Sequence, residues 1–187
     1  MEMIPAWIDG DLVPVEKLQV HRRGLRHKAV SVFVFCAERV LIQKRALAKY
    51  HSGGLWANTC CTHPQWEESA QACARRRLRE ELGLEGLDLV HQTVLEYRAE
   101  VGSGLIEHEV VDIYFARLAR PVAPVPNPDE VMATAWIEMQ DLRANVRTVP
   151  QIYVPWLRVY LERWDELSPG DGSLSRNRSS CRVGAVQ

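Results

Sequence analysis

Nowhere in the 187 residues does an apolar run approach the roughly 20 residues that a bilayer-spanning helix needs. The opening stretch, MEMIPAWIDGDLVPVEK, lacks the basic-then-apolar pattern of a secretory signal. A cytoplasmic protein is therefore the default expectation. Excess charge of one sign is missing too: 23 Lys and Arg stand against 24 Asp and Glu, for a net charge of -1. Nothing in that balance argues for a nucleic-acid or membrane-surface partner held by bulk electrostatics. No repeat recurs along the chain. Cysteine is sparse and unpatterned, with five residues at positions 36, 60, 61, 73 and 181. An odd count without framework spacing predicts free thiols in a reducing compartment rather than disulfides.

What is there reads as an ordinary globular chain, 47% hydrophobic and 25% charged. Residues 1–167 are read as a single domain, large enough to bury a core. The polar, aperiodic stretch 168–187 is read as a disordered tail. Residues 29–36, AVSVFVFC, are β-branched and aromatic, which predicts a buried strand, and 40–44 a second one. Ser69 is a suitable N-cap for a helix over 70–82, and Gly83 sits where a left-handed residue would end it. Further strands are expected over 89–98, 106–118 and 134–137. Gly102-Ser103-Gly104 marks a turn, and a Pro-rich link covers 121–128. Two helical segments follow, 139–145 and 154–167. Residues 1–26 are read as irregular, with at most a short strand near Trp7 and Ile8. The pattern predicts an α/β (α+β) fold, a mixed β-sheet sandwich flanked by helices.

Two stretches carry chemistry. On the helix, residues 77, 80 and 81 share one face at i, i+3 and i+4 spacing. Before it, NTCCTHP sets Cys61 and His63 two residues apart in one tight loop, an arrangement open to redox, catalytic or metal-binding use. A metal would need ligands from elsewhere. His21 and His27 precede the first core strand. Glu107 and Glu109 point to one side of their strand, with Val111, Ile113 and Phe115 continuing that face. Two carboxylates so placed are costly unless paired or metal-bound. A set of three histidines and two glutamates suits an octahedral divalent ion such as Mn²⁺, Mg²⁺ or Zn²⁺.

The helix resembles the Nudix box: Glu68, Arg76, Leu78, Glu80, Glu81, Gly83 and Leu84 match, whereas Thr62 and Arg77 replace a glycine and a carboxylate. Several magnesium ions need several carboxylates. Arg77 instead suits one ion plus direct, bidentate phosphate binding. The segments EKLQVHRRGLRHKAVSVF, QKRALAKYHSGGLWANTCCTHP, EYRAEVGSGLIEHEVVDIYF and PQIYVPWL resemble successive blocks of the type 1 isopentenyl-diphosphate isomerases. The resemblance runs from about residue 8 to 164. The interval between His21 and His27 is one residue shorter than in the bacterial pattern.

That resemblance implies Cys61 and Glu109 as the catalytic pair, aided by Tyr97 and Trp156, which help to protonate the alkene and shield a cation. It implies one tightly bound divalent metal on His21, His27, His63, Glu107 and Glu109, and one Mg²⁺ on Glu81 accompanying the substrate. Lys17, Arg45, Lys49 and Arg77 would bind the diphosphate of a small isoprenoid substrate. The implied reaction interconverts isopentenyl and dimethylallyl diphosphate through a tertiary carbocation. The rival readings are a Nudix pyrophosphohydrolase of a nucleoside or isoprenoid diphosphate, and a binding module with structural zinc on Cys60, Cys61 and His63. The sequence leaves the oligomeric state open.

Overall fold

A computed structural model describes residues 2–167. The predicted tail, with Cys181, lies outside the described residues. Nine strands form one mixed sheet: β1 (Met3–Ile8), β2 (Asp11–Glu16), β3 (Arg26–Cys36), β4 (Arg39–Arg45), β5 (Trp56–Ala57), β6 (Cys60–Thr62), β7 (Val90–Gly102), β8 (Leu105–Leu118) and β9 (Val131–Glu138). The helices are α1 (Lys17–Arg23), α2 (Ala70–Leu82), α3 (Met139–Thr148), α4 (Pro155–Glu162) and α5 (Trp164–Leu167), with a 3₁₀ turn at Pro150–Ile152.

The sheet is organised by β3. Along one side it runs parallel to β8, residue for residue from Arg26↔His108 to Cys36↔Leu118. Along its other side it meets β1 at His27, β6 at Val30 to Val32, and β4 at Phe35 and Cys36. Strand side chains alternate between faces, and β3 uses both. Val30, Val32 and Val34 pack with Leu78 and Leu82 of α2. Ala29, Phe33 and Phe35 pack with Leu95, Ile113 and Trp156 beneath α3, α4 and α5. This two-sided burial explains the continuous apolar run. Each fully buried Phe or Leu here is worth about 1.5–3 kcal/mol of transfer free energy. A sheet covered on both faces agrees with the predicted fold class.

Helix α2 has its expected bounds. The Ser69 side chain accepts a hydrogen bond from the Ala72 amide, and Gly83 closes the helix in the left-handed region at φ 64°. The amino-terminal stretch corrects the sequence expectation. Residues 3–16 form an antiparallel hairpin turning at Asp9-Gly10, both at positive φ. Its prolines stand opposite each other, Pro5 and Pro14, and Pro14 lies on β2, the outer strand, where a missing amide donor costs little. Helix α1 follows at once, capped by the Glu16 carboxylate and ended by Gly24 in the left-handed region. The stretch 154–167 is not one helix: it breaks at Arg163 into α4 and α5. The segment around Cys61 is strand β6, paired with β3, rather than a free loop.

Candidate active site

Strand parity assembles the site. His27, Ser31 and Phe33 share the face of β3 opposite α2. In register beside them on β8 stands Glu109, and beyond it Tyr97 on β7. On the other side Cys61 of β6 is paired with Ser31. One row of the sheet thus carries an imidazole, a carboxylate and a phenol, and a step away lies the thiol. His21 comes from α1, His63 from just after β6, and Trp156 from the first turn of α4.

His21, His27, His63, Glu107 and Glu109 are all buried. His21 Nδ1 donates to the Lys17 carbonyl and His27 Nδ1 to the Leu25 carbonyl, both at 2.7 Å. Each therefore turns a bare Nε2 lone pair inward. His27 Nε2 lies 3.2 Å from His63 Nε2, which is 2.9 Å from Glu109 Oε1. One donor atom from each of His21, His27, His63 and Glu109 lies within 4.8 Å of all the others. His21, His51 and Glu107 meet the same criterion. Burial keeps His21 and His63 neutral, holding the first down to about 4 and the second well below the ordinary histidine value. Burial would raise the Glu109 carboxyl, yet the neighbouring His27 and His63 outweigh it and hold the group well below the carboxylate range. Burial, reinforced by the Glu109 charge, pushes Glu107 well above it. Lone pairs and carboxylates outnumber protons in this cluster, and His63 Nδ1 has no hydrogen-bond partner among the described residues. A divalent cation fits that donor set.

Tyr97 Oη is 2.7 Å from Glu109 Oε2 and 2.8 Å from Glu107 Oε2. Across the pocket, Cys61 Sγ donates to Asn58 Oδ1 at 2.9 Å and lies 3.0 Å from Ser31 Oγ. Burial pushes the thiol up to about 12, so it keeps its proton at neutral pH. Asn58 is itself fixed by donating to Ser31 Oγ and to the Val32 and Cys60 carbonyls. Cys61, Tyr97, Glu107, Glu109 and Trp156 line one cavity of about 30 Å³, the space of roughly one water molecule. Outside it a vestibule of about 300 Å³ is lined by Lys17, Lys49, Tyr50, Arg77 and Glu130 among others.

The sequence-predicted residues thus come together in two layers. Lys17, Lys49 and Arg77 border both cavities. Arg45 lies deeper, its guanidinium over the Trp156 ring at 5.2 Å and donating to the His51 carbonyl. Glu81 is buried beside Arg77, where Gln43 and Arg77 donate to it. His108 stays outside, paired with Glu96. Three participants escaped the sequence reading: His51, buried beside Glu107; Tyr50, whose hydroxyl meets His21 Nε2 at 3.3 Å; and Glu130, which bridges Lys49 and Arg77. The only sequence signal for the first two was their place between Lys49 and Trp56 in a segment already assigned to the site. Glu130 carried no signal, because it follows a Pro-rich link of no motif.

A mixed sheet with a charged helix across it and acidic and basic groups converging at one end is the arrangement of a Nudix protein. Residues 25–158 match the NUDIX domain family, and the chain belongs to it. Similar solved folds include a Deinococcus radiodurans protein (TM-score 0.70, 15% identity, 87% of this chain and 98% of that one). A MutT NUDIX hydrolase from Burkholderia pseudomallei is another (TM-score 0.56, 22% identity, 73% and 96%). Much greater similarity joins the chain to proteins named isopentenyl-diphosphate Delta-isomerase. That of Cereibacter sphaeroides is 60% identical over 86% of this chain and 90% of its own length. Those of Dinoroseobacter shibae (57%; 88% and 94%) and Ruegeria pomeroyi (57%; 85% and 88%) are nearly as similar.

Proposed function

We propose that the protein is an isopentenyl-diphosphate Delta-isomerase of isoprenoid biosynthesis, interconverting isopentenyl and dimethylallyl diphosphate. The observation that carries the reading is one small, largely buried cavity with proton-bearing groups on two sides. Cys61 holds a thiol proton on one side; Tyr97, shared between Glu107 and Glu109, holds one on the other. Allylic transposition needs a donor on one side and an acceptor on the other, since one proton is added to the alkene and another is removed from C2. When Cys61 gives its proton, the ionised Glu109 beside Tyr97 is the acceptor. The group that gives in one direction takes in the reverse. Trp156, 2% exposed, offers an aromatic surface to the intermediate carbocation, a contact worth roughly 2 kcal/mol or more when desolvated. The cavity's small volume leaves no room for bulk water that would capture that cation.

His21, His27, His63, Glu107 and Glu109 would hold the resident divalent cation, Mn²⁺, Mg²⁺ or Zn²⁺. When bound, it would supply a fixed positive charge that acidifies the groups around it. Glu81 would hold the Mg²⁺ that arrives with the diphosphate. Lys17, Lys49 and Arg77 grip that diphosphate in the vestibule, while Arg45 braces Trp156 and reaches the inner cavity. The grip fixes the hydrocarbon between the two acid–base groups, which is the orientation term of catalysis. The cytoplasm is the proposed location; among the described residues no helix is long and apolar enough to cross a membrane.

The test is deuterium incorporation into isopentenyl diphosphate in heavy water. Wild-type, metal-supplemented protein should exchange label and yield dimethylallyl diphosphate, and Cys61→Ala should lose both. Release of phosphate with no label exchange would instead support a Nudix pyrophosphohydrolase.

A further inference from the structure

His51 belongs to no motif, yet it is buried at 6% exposure among charged groups. Its position is fixed from several sides. Its carbonyl accepts from Arg45, its ring meets the Trp156 ring edge-on at 5.7 Å, and Tyr50 packs against it at 4.3 Å. The orientation of the imidazole repeats that of His21 and His27. In those two, Nδ1 donates to a nearby carbonyl and Nε2 faces inward. In His51, Nδ1 lies 3.3 Å from Ser52 Oγ and Nε2 points at Glu107. A local oxygen on one ring nitrogen is what fixes the other as a metal-ligating lone pair.

The spacing of donor atoms agrees. His51 Nε2 lies 3.6 Å from Glu107 Oε1, too long for a hydrogen bond. The distance from His27 Nε2 to Glu109 Oε1, between two ligands already assigned, is 3.7 Å. Ligands held about 2.0–2.2 Å from a common cation sit at such separations. His51, Glu107 and His21 bring their donor atoms within 4.8 Å of one another.

We propose that His51 is a fourth imidazole ligand of the buried metal centre, bound through Nε2 on the side of Glu107. The inference rests on the metal reading given above and extends it. His21 belongs to both donor groups but has a single free nitrogen, because Nδ1 is committed to the Lys17 carbonyl. The two groups therefore adjoin at His21, which sets His51 and Glu107 at the flank of the same centre. Four imidazoles also shift the chemistry of the site: nitrogen-rich sets favour Zn²⁺, Co²⁺ or Ni²⁺ over Mg²⁺, which prefers oxygen ligands.

The deciding experiment is a crystal structure of the full chain loaded with Zn²⁺, the ion located by anomalous scattering. The expected result is one Zn²⁺ per chain with His51 Nε2 about 2.0–2.3 Å away. In solution, competition with a chromogenic chelator should show His51→Gln binding Zn²⁺ about tenfold or more weakly than wild type, with an unchanged circular dichroism spectrum. A Zn²⁺ on His21, His27 and His63 that leaves His51 beyond 3 Å would overturn the proposal and leave the metal reading intact. Two ions per chain would overturn it as well. Failure of the wild type to bind any ion would overturn both. Should His51→Gln not fold, the wild-type ion position alone decides.

Discussion

A phenol has one proton, and Tyr97 stands at hydrogen-bond distance from two carboxylates. The arrangement holds together only if one of them is protonated. The shifts of the pair settle which: Glu107 is pushed up by burial and its neighbour's charge, and Glu109 is held down by His27 and His63. Glu107 then donates to Tyr97, and Tyr97 to Glu109. Tyr97→Phe removes the relay and leaves Glu107 without its acceptor and Glu109 without a donor. It should lower kcat for isomerisation about 10²-fold or more, read by product formation at saturating isopentenyl diphosphate, with KM changed much less because the diphosphate grip is untouched. The same residues set an acid sensitivity. His21, His51 and His63 are neutral when folded, with values held down by burial, to about 4 and about 2 for the first two. As pH falls below 6.5 the unfolded chain takes up three protons that the folded one refuses, and stability falls. Glu107 acts in the opposite sense, since folded protein keeps a proton that the unfolded chain releases above about 4.5. Three against one leaves a net of two, so metal-stripped protein should lose about 2 kcal/mol or more per pH unit between pH 6.5 and 5. Urea unfolding midpoints across that range test this, and a flat profile would contradict the neutral-histidine assignment.

Helix α2 shows how one element ties the signature to the site. Gly83 ends it in a left-handed conformation, and the turn lets the Pro-rich link return alongside. The Val125 amide donates to the Leu82 carbonyl and the Asn127 amide to that of Glu81. That link delivers Glu130 to Lys49 and Arg77. A Cβ at Gly83 would lie 3.1 Å from the Val125 carbonyl oxygen, on a backbone that L-residues disfavour. Gly83→Ala should therefore cost about 1–2 kcal/mol, seen as a lower denaturant midpoint with an unchanged slope. The helix was legible because Ser69 and Gly83 cap it and its periodicity is uninterrupted. Strands β3 and β8 were legible because burial on one or both faces leaves long apolar or alternating runs. The β1–β2 hairpin was not, although Asp9-Gly10 is a strong turn signal. Two prolines and a mixed pattern masked strands at the margin of the sheet, where tertiary context rather than propensity decides. The break at Arg163 was hidden for a different reason: neither glycine nor proline marks it.

At the scale of the whole molecule, the site consists of an inner cavity of about 30 Å³ behind a vestibule of about 300 Å³, with Lys17, Lys49, Tyr50 and Arg77 bordering both. A five-carbon chain does not fit the inner space as it stands, so binding requires the border to move. Its basic residues are already engaged: Lys17 with Glu2, Lys49 with Glu130, and Arg77 with Glu80, Glu81 and Glu130. Sequence could supply the cations through the resemblance, but two of their carboxylate partners, Glu2 and Glu130, come from the first strand's lead-in and from just beyond the Pro-rich link, segments joined only by the tertiary fold. These partners are competitors. A diphosphate gains Coulomb energy with Lys49 and Arg77 only after displacing Glu130, and partly exposed pairs of this kind are worth about 0.2–1 kcal/mol each. Glu130→Gln removes that competitor while sparing the Cys61 and Glu109 faces and the Glu81 carboxylate. Inorganic pyrophosphate should then bind about two- to fivefold more tightly, measured by calorimetry at fixed ionic strength, and the gain should shrink as salt is raised. Weaker binding in the variant would mean that Glu130 holds Lys49 and Arg77 in position for the phosphates rather than competing for them.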